Sequence, residues 1–190
     1  MEHAHPTRLF AAATDNVDAE AVAAFRQACE SNLRAVYSYV CYRVPSAAAA
    51  EELTSAAFLK ALERLPFFDP TRGEMAHWIF RIARSVVTDH LRAQRRWTMV
   101  PIEWLSERHA VEATAEAAVA HSEVVDRLVG GLKRLRHRDR DLLGMKFGAD
   151  LTNRDIAQVT GLTEGHVSVL LRRALDRLRI DLESHGVSHA

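Results

Sequence analysis

Cysteine is scarce in this chain of 190 residues: only Cys29 and Cys41 are present. They form no CxxC or zinc-ligand pattern. Both fall in one expected helix, where a rise of about 1.5 Å per residue puts them roughly 18 Å apart, too far for a disulfide. Both therefore read as reduced thiols. Ten histidines include no HExxH pair, and His3 and His5 stand near the terminus, so no metal site and no cofactor is expected. No apolar run approaches the roughly 20 residues needed to span a bilayer. The N-terminus lacks a positive stretch followed by a long apolar core, which argues against a secretory signal. A cytoplasmic protein without membrane insertion is expected. Glycine and proline are also few, and they punctuate the chain rather than fill it: Pro45, Pro66, Pro70, Gly73, Pro101, Gly130, Gly131, Gly148 and Gly161. Sustained period-2 alternation with β-branched residues is missing, so strands are not expected.

What remains reads as an all-α protein. The expected helices cover about 18–43, 47–65, 74–97, 122–135, 138–147, 152–159 and 163–183. Net charge is zero over the whole chain, but its distribution is uneven. Residues 23–97 carry 11 basic and 7 acidic side chains, and residues 125–180 carry 12 and 7. Between them, residues 98–124 hold one basic and five acidic side chains. Local field rather than the average governs polyanion binding. The expected organisation is an extension (1–22), a helical domain (23–97), a flexible acidic linker (98–124), a second helical domain (125–183) and a tail (184–190).

The stretch TNRDIAQVTGLTEGHVSVLLRRALDRLR, residues 152–179, is the more specific of two informative segments. Thr152 with Asp155 three residues later has capping-box spacing. Gly161 suits a left-handed helix end, and Thr163 suits the next N-cap. Val167, Leu170, Leu171, Ala174, Leu175 and Leu178 form one apolar stripe. Ala157, Gly161 and Val167 stand at helix-turn-helix spacing, which lets two short helices cross closely. The second helix would enter a major groove, its side chains reaching base edges and phosphates. The opposing reading is a plain helical hairpin with a solvated charged face. Upstream, Lys133, Arg134, Arg136, Arg138 and Arg140 offer a phosphate-contacting block.

The other segment is FFDPTRGEMAHWIFRIARSVVTDHLRAQRRW, residues 67–97. Arg81, Arg84, Thr88, Arg92 and Arg95 recur at helical spacing as one polar stripe, flanked by Ser85, Asp89 and Arg96. Phe67, Phe68, Trp78 and Phe80 lie beside it. Charge for a backbone next to rings for unstacked bases is what a single-stranded nucleic-acid site requires. Taken singly, each aromatic reads as core. In the preceding AEELTSAAFLKALERL, the small residues Ala56, Ala57 and Ala61 favour close helix packing over a docking face.

Together these segments resemble a bacterial RNA polymerase sigma factor of the extracytoplasmic-function (ECF) group. The resemblance covers roughly residues 23–97 and 125–180. It implies a first domain that grips the polymerase β′ clamp helices through Glu51, Glu52, Leu53 and Phe58. It implies −10 element reading and melting by Phe68, Asp69, Arg81, Arg84, Ser85, Asp89 and Arg92, with a flipped base near the Phe68–Asp69 loop. It implies −35 reading by Arg154, His166, Ser168, Val169, Arg172 and Arg173, contact with the polymerase β flap, and an anti-sigma factor as partner. The free protein is expected to be a monomer and not an enzyme. Two departures stand out. Ser55-Ala56-Ala57 occupies the place where this group usually has a Gln-Glu pair before its Phe. Ser168-Val169-Leu170 replaces a more basic triplet on the reading helix. Three other readings compete: a stand-alone helix-turn-helix regulator, a protein that binds only proteins, and an enzyme using Glu51/Glu52 or Asp139/Asp141. No Gly-rich phosphate loop, nucleophile elbow or metal set supports the last.

Overall fold

The computed structural model describes residues 19–44, 46–94 and 127–184. The extension over 1–18, Arg95, Arg96, the linker 98–124, the first residues of the 122–135 helix and the tail beyond Ser184 lie outside the described residues. Helix α1 spans Ala19–Cys41 and α2 spans Ala47–Arg64. Short 3-10 turns follow at Leu65–Phe67 and Pro70–Arg72, and α3 spans Met75–Gln94. The second block contains α4 (residues 127–134), α5 (His137–Leu143), a π-helical turn (Gly144–Gly148), α6 (Asn153–Thr160) and α7 (Glu164–Ser184). Among the described residues every regular element is helical, as the sequence predicts.

Local chemistry fixes the ends. Ser46 caps α2 by accepting from the Ala49 amide at 3.2 Å. Thr152 Oγ1 accepts from the Asp155 amide at 3.1 Å, while Asp155 Oδ2 accepts from the Thr152 amide at 3.0 Å, completing the capping box of α6. Gly161 closes α6 at φ +73°, the left-handed region that favours glycine. Thr163 Oγ1 accepts from the His166 amide at 3.3 Å at the start of α7.

In the first block, α1 buries Phe25, Val36, Tyr39 and Val40 against Leu53, Ala57, Ala61 and Leu62 of α2 and Ile79, Phe80, Ala83 and Val87 of α3. Ala57 and Ala61 are fully buried, so the small residues of α2 serve helix packing. Burying each large apolar side chain contributes about 1.5–3 kcal/mol. In the second block, Val167, Leu171, Ala174 and Leu178 of α7 bury against α5 and α6. Leu175, expected in that stripe, is 42% exposed, because it sits at the edge of the buried arc.

The two blocks pack against each other, and their buried residues form one contiguous cluster. Gly148 and Gly144 lie against α1: a Cβ on Gly148 would stand 2.8 Å from Tyr42 Cδ2, and one on Gly144 3.1 Å from Tyr42 Cβ. The absence of side chains there permits the close approach. No disulfide joins the cysteines; Cys41 is buried, and burial, reinforced by Glu30, pushes the half-buried Cys29 thiol up to about 12.

Candidate nucleic-acid interface

The first candidate surface is the turn before α3. Asp69 caps the Pro70–Arg72 turn: its Oδ1 accepts from the Thr71 amide at 2.9 Å and from the Thr71 hydroxyl at 2.6 Å. Those bonds hold the Asp69 carboxyl below its usual range. Phe68 and Trp78 pack ring against ring, with centroids 5.2 Å apart and planes tilted by 57°. Phe67, Phe68, Asp69, Arg72, Trp78 and Arg81 line a cavity of about 410 Å³. Phe80, by contrast, is core. The aromatic read as core that departs most from expectation is Phe67, 83% exposed at the mouth of this cavity. A ring that faces water beside guanidinium groups has the chemistry to stack an unpaired base. The sequence names Phe67 and Trp78 as rings beside the basic stripe, although each taken singly reads as core, and gives no sign of Arg72; the structure brings all three to one cavity.

Along α3, Arg81, Ser85, Asp89 and Arg92 are exposed, and Arg84 is half-buried. Ser85 Oγ donates to Asp89 Oδ2 at 3.3 Å, and Arg92 lies 3.5 Å from Asp89. Arg84 Nε donates to Asp141 Oδ2 at 2.6 Å, across the contact between the blocks. Arg81 reaches the Gln158 carbonyl at 3.5 Å. Arg81 and Arg84 of the stripe thus meet the second block.

On the second surface, Arg154, His166, Val169, Arg172 and Arg173 are exposed. Ser168 is half-buried: its hydroxyl donates to the Glu164 carbonyl at 3.1 Å and accepts from Asn153 Nδ2 at 2.9 Å, tying the two helices of the motif together. Arg177 is turned inward to Asp139 at 2.7 Å, and Arg134 is held by Asp181 at 2.6 Å. Asp139 and Asp141 are both buried and ion-paired, to Arg177 and to Arg84. Among the residues expected to face polymerase, Glu51 and Glu52 are exposed, Phe58 is half-buried and Leu53 is 5% exposed in the core of the first block. The heptad-like spacing of α2 turns Leu53 toward α1 and α3, away from solvent.

Comparisons with known proteins agree with this architecture. Residues 29–97 match Sigma-70 region 2, and residues 131–179 match Sigma-70, region 4. The chain is 33% identical over 133 residues to the ECF RNA polymerase sigma factor RpoE of Cereibacter sphaeroides, covering 70% of this chain and 72% of that one. It is 32% identical over 143 residues to the ECF RNA polymerase sigma factor BldN of Streptomyces coelicolor, covering 75% of this chain but about half (54%) of that protein's length. Among solved structures, the sigma factor RpoE in complex with the anti-sigma factor NepR from Bartonella quintana superposes with a TM-score of 0.61 at 19% identity, over 84% of this chain and 96% of that one. CnrH in complex with the cytosolic domain of CnrY gives 0.60 at 19% identity, over 94% and 97%. With two region models matched in order and a third of residues shared across most of a curated relative, this chain belongs to the ECF sigma factors of the sigma-70 family.

Proposed function

We propose that this protein directs a bacterial RNA polymerase to promoters, reading a −10 element with residues 23–97 and a −35 element with residues 125–183. The observation that carries this is the pairing of an aromatic and guanidinium cavity at Phe67, Phe68, Trp78 and Arg81 with a fully capped helix-turn-helix. The cavity would take a base out of the melted non-template strand, and Arg84 and Arg92 would hold its backbone. Arg154, His166, Val169, Arg172 and Arg173 would meet the −35 major groove, with Ser168 holding the helices in register. Glu51, Glu52 and Phe58 would contact the polymerase β′ clamp helices, and the second domain the β flap. Ser55-Ala56-Ala57 alters the clamp face and Ser168-Val169-Leu170 lowers the charge of the reading face, so both contacts differ in detail from the group's usual pattern.

The protein carries no catalysis of its own in this reading; bond formation belongs to the polymerase. It acts in the cytoplasm, where the polymerase and promoter DNA are, and among the described residues no helix is long and apolar enough to cross a membrane. The two solved relatives were captured with NepR and with CnrY, which supports an anti-sigma factor as a partner here. Run-off transcription from random genomic fragments, with core polymerase alone and with this protein added, tests the proposal. Defined start sites that depend on the protein are expected. Their absence, together with no binding to core, would overturn it.

A further inference from the structure

A second cavity, of about 470 Å³, opens beside α3 and α5. That volume falls within the range of about 300–1,000 Å³ found for small-molecule sites. Four guanidinium groups line it, those of Arg43, Arg84, Arg92 and Arg138, against one carboxylate, that of Asp141. The carboxylate is already neutralised: it accepts from the Tyr39 hydroxyl and from Arg84 Nε, each at 2.6 Å, and lies 3.5 Å from Arg43 Nη1. The arginines keep donors in hand. Arg84 bonds Asp141 through its Nε and is only half-buried. Arg92 is exposed and comes no nearer than 3.5 Å to Asp89. Arg138 is exposed. Arg43 is buried; its Nη1 donates to the His137 carbonyl at 2.7 Å, but its Nε has no hydrogen-bond partner. A buried N–H without an acceptor is unfavourable, and an anion entering beside Arg43 relieves that.

The rest of the wall is of a different kind. Leu91, Leu142 and Leu162 give it an apolar part, and Thr88 adds a hydroxyl. Guanidinium groups match phosphate oxygens, and an apolar wall matches a flat ring. We propose that this cavity binds a small phosphorylated nucleoside carrying two or more phosphates. The excess of three positive charges along the wall calls for more than one negative charge on the ligand. The volume suits one nucleotide rather than a run of them. This site is an addition to the function proposed above, and binding itself does not depend on that function. Arg84 and Arg92 also belong to the stripe assigned there to the melted strand. A bound nucleotide therefore competes with that strand for the same two arginines.

Isothermal titration calorimetry on the full chain, at about 0.15 M salt to screen loose ion binding, tests the site. The probes are ADP, GDP, adenosine and inorganic pyrophosphate. ADP or GDP is expected to bind saturably at one per chain, at least tenfold more tightly than adenosine or pyrophosphate. Arg138→Gln removes one guanidinium from the wall and should weaken nucleotide binding about tenfold to hundredfold, the loss of one charge-assisted bond. Arg26→Gln makes the same charge change about 15 residues from the end of α1, roughly 22 Å along the helix, and should bind as wild type does. No saturable binding by wild type would overturn the site. So would equal binding by wild type and Arg138→Gln, or equal losses in the two variants. Pyrophosphate binding as tightly as ADP and GDP would overturn the nucleoside part. If Arg138→Gln does not fold, the four probes on wild type decide. Displacement of a labelled single strand carrying the −10 element found by run-off mapping reads the competition. Nucleotides that bind but leave the strand in place would keep the cavity as a nucleotide site and remove Arg84 and Arg92 from strand binding.

Discussion

The hydroxyl of Tyr39 donates to Asp141 Oδ1 at 2.6 Å, joining residues 102 positions apart. Both groups are buried, and burial together with the nearby Asp141 charge holds the Tyr39 phenol well above its usual range. Tyr39 therefore stays a donor at any working pH. The contact places the charged centre of the interface directly beneath the arginine stripe of α3.

Phe67→Ala should impair promoter opening and leave the fold intact. The ring is exposed, so its loss uncovers little core. Base–aromatic stacking is worth about 1–3 kcal/mol, which corresponds to roughly a tenfold to hundredfold loss of open complex. Permanganate footprinting of the −10 region checks this, with circular dichroism as the control. Normal opening by the variant would remove Phe67 from the site.

Charge reversal separates the two reading faces. Arg92→Glu should reduce −10 use, and Arg173→Glu should weaken binding of the −35 half alone. Both residues are exposed, so folding should be unaffected. Losses of about tenfold or more are expected for each. Run-off transcription from promoters with either element mutated assigns each effect. If both variants transcribe normally, the face assignments are wrong.

Arg177→Ala should destabilise the second domain without acting through DNA. Its guanidinium holds the buried Asp139 carboxylate at 2.7 Å. Truncating one partner leaves a buried charge unpaired, a loss of about 2–4 kcal/mol. Thermal melts of the Arg177→Ala and Asp139→Asn/Arg177→Ala proteins check the mechanism. The double variant, which removes the stranded charge, should melt higher than Arg177→Ala alone.

Acid should loosen the helix-turn-helix through Asp155. Burial works to raise its carboxyl, but bonds from Thr152 and His77 outweigh that and hold it below the usual range. Between the folded and unfolded values the unfolded state binds more protons, so stability rises with pH there. The contribution is complete above the unfolded value of about 3.9 and is lost as pH falls through the lowered folded value. Asp155→Asn should flatten that part of a melting-temperature series run from pH 6 to pH 2. An unchanged slope below pH 4 would show that other carboxylates carry the acid sensitivity.

Much of the fold was legible because it is written in near neighbours. Capping at Thr152, the left-handed end at Gly161 and the stripe from Val167 to Leu178 depend on residues within a few positions of one another. Helix ends expected at 43 and 65 fall at Cys41 and Arg64 in the structure, shifts of one or two residues, and the end expected at 97 lies outside the described residues. Residues expected to be one continuous helix at 138–147 split into α5 and a π-helical turn, where Gly144 and Gly148 meet α1. Nothing local marks that contact.

The sequence by itself determined the helical class, the cap and break points, the apolar stripes and the two basic segments, since each follows from short-range periodicity and side-chain chemistry. Tertiary structure decided which charges are spent and which are free. Arg134, Arg177 and Arg84 look alike in the sequence, yet each is committed to an aspartate 38 to 57 residues away, at Asp181, Asp139 and Asp141. It likewise turned Phe67 outward and Phe80 inward, although both are aromatics in one stretch. Burial and ion pairing depend on where distant segments come to rest, and that placement is set by packing of the whole chain.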